Sequence, residues 1–242
     1  MKNNCIIVAL LVLLVSCGGS SSGGDPVSNE SAAGIWEGAG ETDKAISGNI
    51  VGMIASNGKA FFLTDAMVLV YGDASVSGNN ISINGALYGD VSPSVTMSGT
   101  VQSGVSINVN YSTSDENGTI SLAKADSSIG VYNRTSSFSK LMGTWDDDFT
   151  DDAGTWTFTI LNSGEFSAVR DPDGCSISGQ FQTIDSTKNE YAVTASVSSC
   201  ADLNGNYSGL AFTSDDGATD NVISIVIVNS ENAGVFEAIK RE

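Results

Sequence analysis

Apolar and polar residues alternate along most of the chain from residue 34 onward. In residues 105–112 valine, isoleucine and tyrosine occupy every second position, beginning at Val105, with serine or asparagine between them. Residues 94–101 follow the same alternation, and residues 155–160 place Trp156, Phe158 and Ile160 against three threonines. A period of two puts successive side chains on opposite faces of an extended strand, so these segments predict half-buried β-strands.

Turn dipeptides separate the alternating segments. Asn-Gly and Asp-Gly pairs accept the positive φ angles of tight hairpin turns. Such pairs occupy positions 57–58, 117–118, 173–174, 204–205 and 216–217. Consecutive hairpins predict an antiparallel up-and-down meander.

Residues 222–228 depart from the alternation, because they are apolar on both faces apart from Ser224. A strand of this kind is covered on both sides. We expect one face to lie inside a barrel and the other against a neighbouring domain or the linker. The alternative is an interface with another molecule.

A Gly-x-Trp motif occurs twice, and each copy is followed at nearly equal spacing by a basic residue near the end of a later strand. Repeated opening and closing motifs indicate a tandem duplication. The pattern resembles the lipocalin-like (calycin) barrels, in which the tryptophan packs across the barrel base and a basic residue lies over its ring. The matching residues are Gly34, Trp36 and Arg134 in the first copy and Gly143, Trp145 and Arg241 in the second, where Lys240 could replace the arginine.

The resemblance implies an all-β protein with two tandem antiparallel up-and-down β-barrels. We place the barrel domains at residues 34–138 and 139–242, each with roughly eight to ten strands, consistent with meander barrels of this size. The alternative is that both tryptophans are ordinary core residues at strand starts. Eight-stranded barrels either fill with side chains or hold one small ligand.

The first residues are typical of an export signal. Lys2 precedes a ten-residue apolar run, Ile6–Val15, which is too short to span a bilayer. The run ends in Leu14-Val15-Ser16-Cys17, which resembles the bacterial lipobox. That resemblance implies a signal peptide at residues 1–16 that is cut before Cys17, whose sulfur receives a diacylglycerol and whose new amino group is usually acylated. The alternative is an ordinary secretory signal.

A polar Gly/Ser segment follows the lipobox, and we interpret residues 17–33 as a tether. In bacterial lipoproteins an aspartate directly after the cysteine favours the inner membrane, so Gly18 points to the outer membrane. The expected location is therefore the cell envelope, periplasmic or surface-exposed, with the outer membrane as a partner through the lipid anchor.

Four cysteines occur in the chain. Cys5 would leave with the signal peptide and Cys17 would carry lipid, so Cys175 and Cys200 remain as an even pair in an oxidising compartment. Cys175 begins one predicted strand and Cys200 ends the next. Antiparallel pairing would bring the two thiols together, so we expect them to form a disulfide. Two free buried thiols are the alternative.

Charge and composition narrow the functions further. The chain has 28 acidic and 10 basic residues and no histidine, giving a net charge of −18. A polyanion repels nucleic acid, which is therefore not expected as a partner. The lack of histidine removes the commonest general base and the usual zinc ligand, and we expect no cofactor.

The acidic stretch 145–154 contains Asp146, Asp147, Asp148, Asp151 and Asp152. Clustered oxygen ligands can hold Ca²⁺, but this spacing is not that of the calcium-binding loop. We interpret the stretch as a solvated turn with no metal, the alternative being a calcium site.

These observations favour a lipid-anchored, non-enzymatic binding module for a small apolar or glycan ligand or a protein partner. A protein-type inhibitor or an envelope-assembly factor is the second hypothesis. A carboxylate-based hydrolase is the third, because paired carboxylates can serve glycoside hydrolysis when their separation is fixed. A hollow barrel would favour the first hypothesis.

Overall fold

The alternating segments form sixteen antiparallel strands that close into two eight-stranded barrels. The structure is a computed structural model that describes residues 31–41, 44–89, 94–125, 131–147 and 154–241. In each barrel every strand pairs with the next one along the chain, and the last strand pairs with the first. The prediction of an all-β fold with two tandem up-and-down barrels is therefore confirmed.

Barrel one is the N-terminal meander. Its strands are β1 (Gly34–Gly40), β2 (Gly48–Ile54), β3 (Lys59–Thr64), β4 (Leu69–Ser77), β5 (Asn80–Tyr88), β6 (Ser94–Gln102), β7 (Ser106–Ser112) and β8 (Asn117–Lys124).

Barrel two follows a linker that ends in a four-residue helix, α1 (Phe138–Leu141). Its strands are β9 (Gly143–Asp147), β10 (Thr155–Ile160), β11 (Glu165–Asp171), β12 (Ser176–Thr183), β13 (Tyr191–Ser198), β14 (Gly205–Ser214), β15 (Val222–Val228) and β16 (Ala233–Lys240), with a 3₁₀ turn at Ala201–Leu203. The domain boundary at residues 138 and 139 stays a prediction.

Apolar side chains occupy the inside of each barrel. Inward-facing residues of barrel one that are at most 4% exposed include Trp36, Ile50, Phe62, Ile83, Met97, Val109, Tyr111, Ile120 and Leu122. Their counterparts in barrel two include Trp145, Phe158, Ile160, Phe181, Tyr191, Val193, Ile223 and Ile225. Burying one such large apolar side chain stabilises the folded state by about 1.5–3 kcal/mol. The period-two alternation therefore encodes two packed interiors.

Strand β15 is covered on both faces, as its sequence predicts. Ile223, Ile225 and Ile227 belong to the core cluster of barrel two. Val226 and Val228 belong to a separate cluster that contains residues of both barrels. The neighbouring domain thus covers the second face.

Most of the predicted turn dipeptides do mark turns. Gly58, Gly174 and Gly217 lie between consecutive strands with φ angles of 86°, 74° and 72°. Gly205 instead begins β14. Val105, which the alternation places on a buried face, lies in the turn before β7 and is 50% exposed.

The predicted turn at residues 117–118 is wrong, because β8 begins at Asn117. The turn lies earlier, where the Thr113 amide donates to the Glu116 carbonyl at 2.9 Å. Gly118 faces the ring of Tyr111, and a Cβ there would stand 2.5 Å from that ring. The glycine therefore makes room for an aromatic side chain on the paired strand.

Candidate functional site

A lysine covers the tryptophan of each Gly-x-Trp motif. The Nζ of Lys124 lies 4.9 Å from the ring centroid of Trp36 and donates to the Ala33 carbonyl at 3.0 Å. In barrel two the Nζ of Lys240 lies 5.1 Å from the ring centroid of Trp145. Each indole N–H donates to the carbonyl four residues earlier, at 2.9 and 2.8 Å. The two barrels therefore share one constellation, and burial lowers the pKa of both lysines.

The glycine of each motif is required by this arrangement. Gly34 and Gly143 have φ angles of 153° and 141°, which side-chain-bearing residues rarely adopt. A Cβ on Gly34 would stand 1.7 Å from the Nζ of Lys124, and one on Gly143 would stand 2.9 Å from Cε of Lys240. The glycines thus leave the space through which the lysines reach the rings.

The arginines predicted to cover the rings lie elsewhere, so that prediction is wrong in its choice of residue. Arg134 lies beyond the end of β8, in the linker, where it forms a bidentate pair with Asp215, both contacts at 2.6 Å. Arg241 pairs with Asp146 instead. The last strand of barrel one ends at Lys124, ten positions before the predicted residue. Lys240, named as the alternative to Arg241, does cover its ring.

The predicted disulfide joins Cys175 to Cys200, whose Cα atoms are 4.6 Å apart. Cys175 directly precedes β12 and Cys200 follows β13, and these antiparallel strands pair Ser176 with Ser198. Both cysteines are buried, at 0% and 5% exposure. The bond therefore ties together one end of two neighbouring strands of barrel two.

The acidic stretch is described only in part. Asp146 accepts hydrogen bonds from Arg241 and, at 3.0 Å, from the hydroxyl of Thr157. The Arg241 guanidinium holds the pKa of Asp146 below its usual range. Asp148, Asp151 and Asp152 lie outside the described residues. Among the residues that the structure describes, no group of three or more potential metal ligands occurs. Asp146 and Asp147 lie in β9, and Asp147 is buried at 6% exposure, so the prediction of a solvated turn is wrong for this part of the stretch. For residues 148–152 the solvated turn stays a prediction.

The outer walls of the two barrels meet along an apolar interface, which we call the seam. Its aromatic centre is the stacked pair Phe61 of β3 and Phe212 of β14, with ring centroids 6.5 Å apart. Other buried seam residues are Ile35, Met53 and Leu69 of barrel one, Leu210, Val226 and Val228 of barrel two, and Ala125, Val131 and Tyr132 of the linker region. The seam is thus built from residues that point outward from closed barrels.

A buried carboxylate joins the barrels beside this apolar patch. Glu190, at 0% exposure, precedes β13 of barrel two. It accepts hydrogen bonds from the Ser56 amide at 2.9 Å, from the Ser56 hydroxyl, and from the Tyr132 hydroxyl at 2.9 Å. Burial and then the Glu190 carboxylate raise the pKa of Tyr132 well above its usual value. One carboxylate thereby contacts barrel one, the linker and barrel two.

The linker is held against barrel two by charge. Arg134 contacts Asp215 and, at 3.2 Å, Asp220, and Lys140 lies 3.2 Å from the other oxygen of Asp220. The hydrogen bonds from Arg134 lower the pKa of Asp215 to about 2. The Tyr132 carbonyl also accepts from the Asn189 amide at 3.0 Å. The linker therefore packs as part of the second barrel's surface.

A groove of ≈ 380 Å³ opens along the seam. Its apolar lining comes from Val51, Phe61, Leu63 and Met67 of barrel one and from Phe212, Val226 and Val235 of barrel two. Polar residues also line it, namely the buried Thr64, the half-buried Ser224 and the exposed Asn49, Asp65 and Glu237, which we call its margin. This volume and this mixture of apolar walls with a few polar groups match those of small-molecule sites.

Two exposed apolar side chains line the groove. Val51 is 44% exposed and Met67 is 52% exposed, although most large apolar residues described here are buried. An exposed apolar surface beside a preformed concavity is typical of binding sites. The groove can therefore hold apolar groups, while its margin can orient a polar end.

Sequence reasoning missed the groove, although a signal was present. Residues 61–63 are Phe-Phe-Leu, so β3 is apolar on both faces, as residues 222–228 are. Phe62 faces into barrel one, whereas Phe61 faces the seam. Two doubly apolar strands in different domains indicate outer walls that pack together, and a groove follows where that packing is incomplete.

The predicted lipidation site, Cys17, lies outside the described residues, as do the predicted signal peptide and most of the tether. Over the described part of the chain, none of the helices is long and apolar enough to cross a membrane. A comparison of the chain with protein-family models, with curated proteins and with solved structures found no match to any of them.

Proposed function

We propose that this protein is a lipid-anchored binding protein of the bacterial cell envelope, without enzymatic activity, that holds a small apolar ligand in the groove between its barrels. The observation that carries the proposal is the groove itself, ≈ 380 Å³ in volume and lined by apolar side chains of both domains. A closed barrel has no sheet edge at which a ligand could pair with the backbone. A small-molecule site on its outer wall therefore needs a concavity such as this groove.

The proposed site lies between the barrels and not inside one of them. Side chains occupy the described interior of barrel one, where Trp36, Ile50 and Met97 are at most 1% exposed. Of the two states open to an eight-stranded barrel, this burial favours an interior filled by side chains. The space for a ligand therefore lies between the domains.

A binding role also accounts for the carboxylates that a hydrolase would use. Glu190 bonds Ser56 and Tyr132 across the seam, and Asp220 holds the linker through Arg134 and Lys140. These two acids have structural partners outside the groove, and the two carboxylates that do line it, Asp65 and Glu237, are exposed to solvent. We infer that Glu190 and Asp220 serve assembly and that the general excess of acidic residues serves solubility.

The anchor is the second part of the proposal. The lipobox-like Leu14–Cys17 supports lipidation of Cys17, and Gly18 supports retention at the outer membrane. Several acyl chains, each contributing about 0.8 kcal/mol per buried methylene, make a lasting attachment. Labelled fatty acid should enter the wild-type protein but not Cys17→Ser, and equal labelling of both would contradict this part alone.

The groove is tested with a neutral apolar dye such as Nile red, whose fluorescence rises in apolar surroundings. Val51→Trp should fill the groove and abolish most of the dye signal. Val105→Trp is the matched control, because Val105 is also an exposed valine of barrel one, in a turn outside the groove. Unchanged dye binding by Val51→Trp would refute the proposed site.

A further inference from the structure

The groove is one part of a larger crevice along the seam. A second groove of ≈ 300 Å³ lies beside it, lined by Leu69, Tyr88 and Ala233 among others. Met67 and Val235 line both grooves. The two spaces therefore adjoin at Met67 and Val235, and together we call them the crevice.

Met67, which lines both grooves, has an unusual backbone conformation. Its φ of 61° lies in the left-handed region, which costs a residue other than glycine free energy. The buried Thr64 supports the turn, because its carbonyl accepts the Met67 amide at 3.0 Å and its hydroxyl accepts the Val68 amide at 3.1 Å. The thioether side chain is polarisable and unbranched, so it adapts to a flexible apolar chain.

The margin of the crevice carries charge of one sign. Asp65 and Glu237 line the first groove and Glu231 lines the second, and all three residues are exposed. No lysine or arginine occurs among the described residues that line either groove. The local charge thus disfavours anionic ligands and favours cations beside the apolar walls.

We propose that the crevice binds a single-chain amphiphile whose head group is cationic, an amine or a quaternary ammonium. The apolar chain lies along Phe61, Met67 and Val226, and the head lies at Asp65 and Glu237. The proposal rests on the function proposed above and adds the charge and shape of the ligand. The adjoining grooves give room for one apolar chain, and the acidic margin selects the sign of the head.

The expected preference is modest, because both carboxylates face solvent. An exposed ion pair changes an affinity by a factor of about two, so two of them give a preference of about threefold to fivefold over a neutral head. Salt at about 0.5 M should reduce it strongly, because the Debye length then falls well below 10 Å. Binding through the apolar chain should persist in that salt.

Methionine methyl groups report where a ligand binds. With ¹³C-methyl methionine, Met67 reports the crevice, Met97 the interior of barrel one, Met53 the closed part of the seam and Met142 an exposed position next to barrel two. The probes are dodecyltrimethylammonium, dodecyl maltoside and dodecyl sulfate, titrated below their micellar concentrations. The Met67 resonance should shift with each of the three probes, and the affinity should be highest for the cationic probe. The Met142 resonance should stay unchanged.

Two pairs of variants that change the net charge by the same amount test the head-group site. Asp65→Asn with Glu237→Gln should bring the cationic and neutral probes to equal affinity at Met67. In the wild type the backbone N–H of Asn49 donates to the Asp65 carboxylate at 3.3 Å. The side-chain oxygen of the asparagine introduced at position 65 can still accept this hydrogen bond. Asp115→Asn with Glu165→Gln removes two exposed charges that line neither groove, and this control should keep the preference.

The outcomes separate the two proposals. If none of the three probes shifts Met67, the proposed binding function fails and the inference fails with it. If the three bind with equal affinity, or if the control pair removes the preference as fully as the rim pair, the charge inference is overturned and the binding function stands. A shift confined to Met97 would move the site into barrel one and overturn both.

Discussion

The ammonium group of Lys124 lies over the indole of Trp36, the residue directly opposite it on the neighbouring strand that closes barrel one. Lys240 and Trp145 are cross-strand partners at the corresponding closure of barrel two. Each pair joins the first strand of a meander to its last. The repeated constellation supports a tandem duplication, and it places a polar contact where each barrel must close.

Lys124→Met should destabilise the protein by about 1–2 kcal/mol. It removes the cation–π contacts with Trp36 and, at 5.2 Å, with Tyr132, where one such contact contributes about 0.5–2 kcal/mol. It also removes a hydrogen bond to the Ala33 carbonyl, while it relieves part of the cost of burying the ammonium. Urea unfolding measures the change. Lys59→Met is the control, since Lys59 forms only an exposed pair with Asp73 on the same barrel. Equal costs for the two variants would contradict the closing role.

The spacing of the motifs predicted Arg134, but Lys124 covers the ring of Trp36. Matching the distances between opening and closing motifs assumes that both copies end at equivalent points, but barrel one ends earlier and is followed by a linker. The strand pattern itself carried the better signal. Lys124 is in phase with inward-facing Ile120 and Leu122, as Lys240 is with Phe236 and Ala238.

The barrels were predictable because alternation and turn chemistry are local properties. The 105–112 segment, for example, buries Ile107 and Tyr111 and exposes Asn108 as its pattern predicts. The seam is different, because it depends on which outer walls meet. Nothing near Glu190 in the sequence indicates that a carboxylate would be buried against Ser56, 134 positions away. The sequence therefore marked two outer walls of the seam, residues 61–63 and 222–228, whereas the buried carboxylate followed only from the tertiary structure.

Removal of the disulfide should weaken barrel two selectively. Cys175 and Cys200 are 25 positions apart, and closing a loop of that length stabilises by about 3 kcal/mol in the chain-entropy model. Cys175→Ala with Cys200→Ala should lower protection from hydrogen exchange in β12 and β13 by a corresponding amount. Strands β5 to β7 of barrel one provide the internal comparison. An equal loss of protection in both barrels would contradict this prediction.

Acid should release the linker from barrel two. Arg134 lowers the pKa of Asp215 to about 2, below the value of about 3.9 for an unfolded aspartate. The folded state then binds fewer protons than the unfolded state between these values, so this stability is present above pH 4 and is lost as the pH falls toward 2.

Arg134→Gln removes the cause of that shift. The variant should be less stable than wild type at pH 6, and the difference should shrink at pH 3, as measured by urea unfolding at both values. Lys59→Gln, which breaks the exposed pair with Asp73, should leave the pH dependence as in wild type. A constant difference between Arg134→Gln and wild type across this range would refute the linkage.

Glu190→Gln should loosen the seam although it conserves the shape of the side chain. The carboxylate accepts three hydrogen bonds, two from Ser56 and one from Tyr132, and an amide nitrogen cannot accept any of them. Ser56 and Tyr132 would lose a charged acceptor, and the exposed Ser56 hydroxyl would have to accept from the new amide or turn to water, at a cost of about 1–3 kcal/mol. Glu165→Gln, at an exposed position, should change the free energy of unfolding by less than about 0.5 kcal/mol.

A double-mutant cycle assigns this cost to the contact between the barrels. Ser56→Ala removes the hydroxyl donor but keeps the amide donor, so its effect should be smaller once Glu190→Gln is present. Residues that share one hydrogen-bond network show coupling energies of about 0.5–3 kcal/mol. Urea unfolding of the wild type, both single variants and the double variant gives the coupling energy. Additive effects, within about 0.3 kcal/mol, would show that Glu190 does not hold barrel one through Ser56 and would leave the seam to its apolar contacts alone.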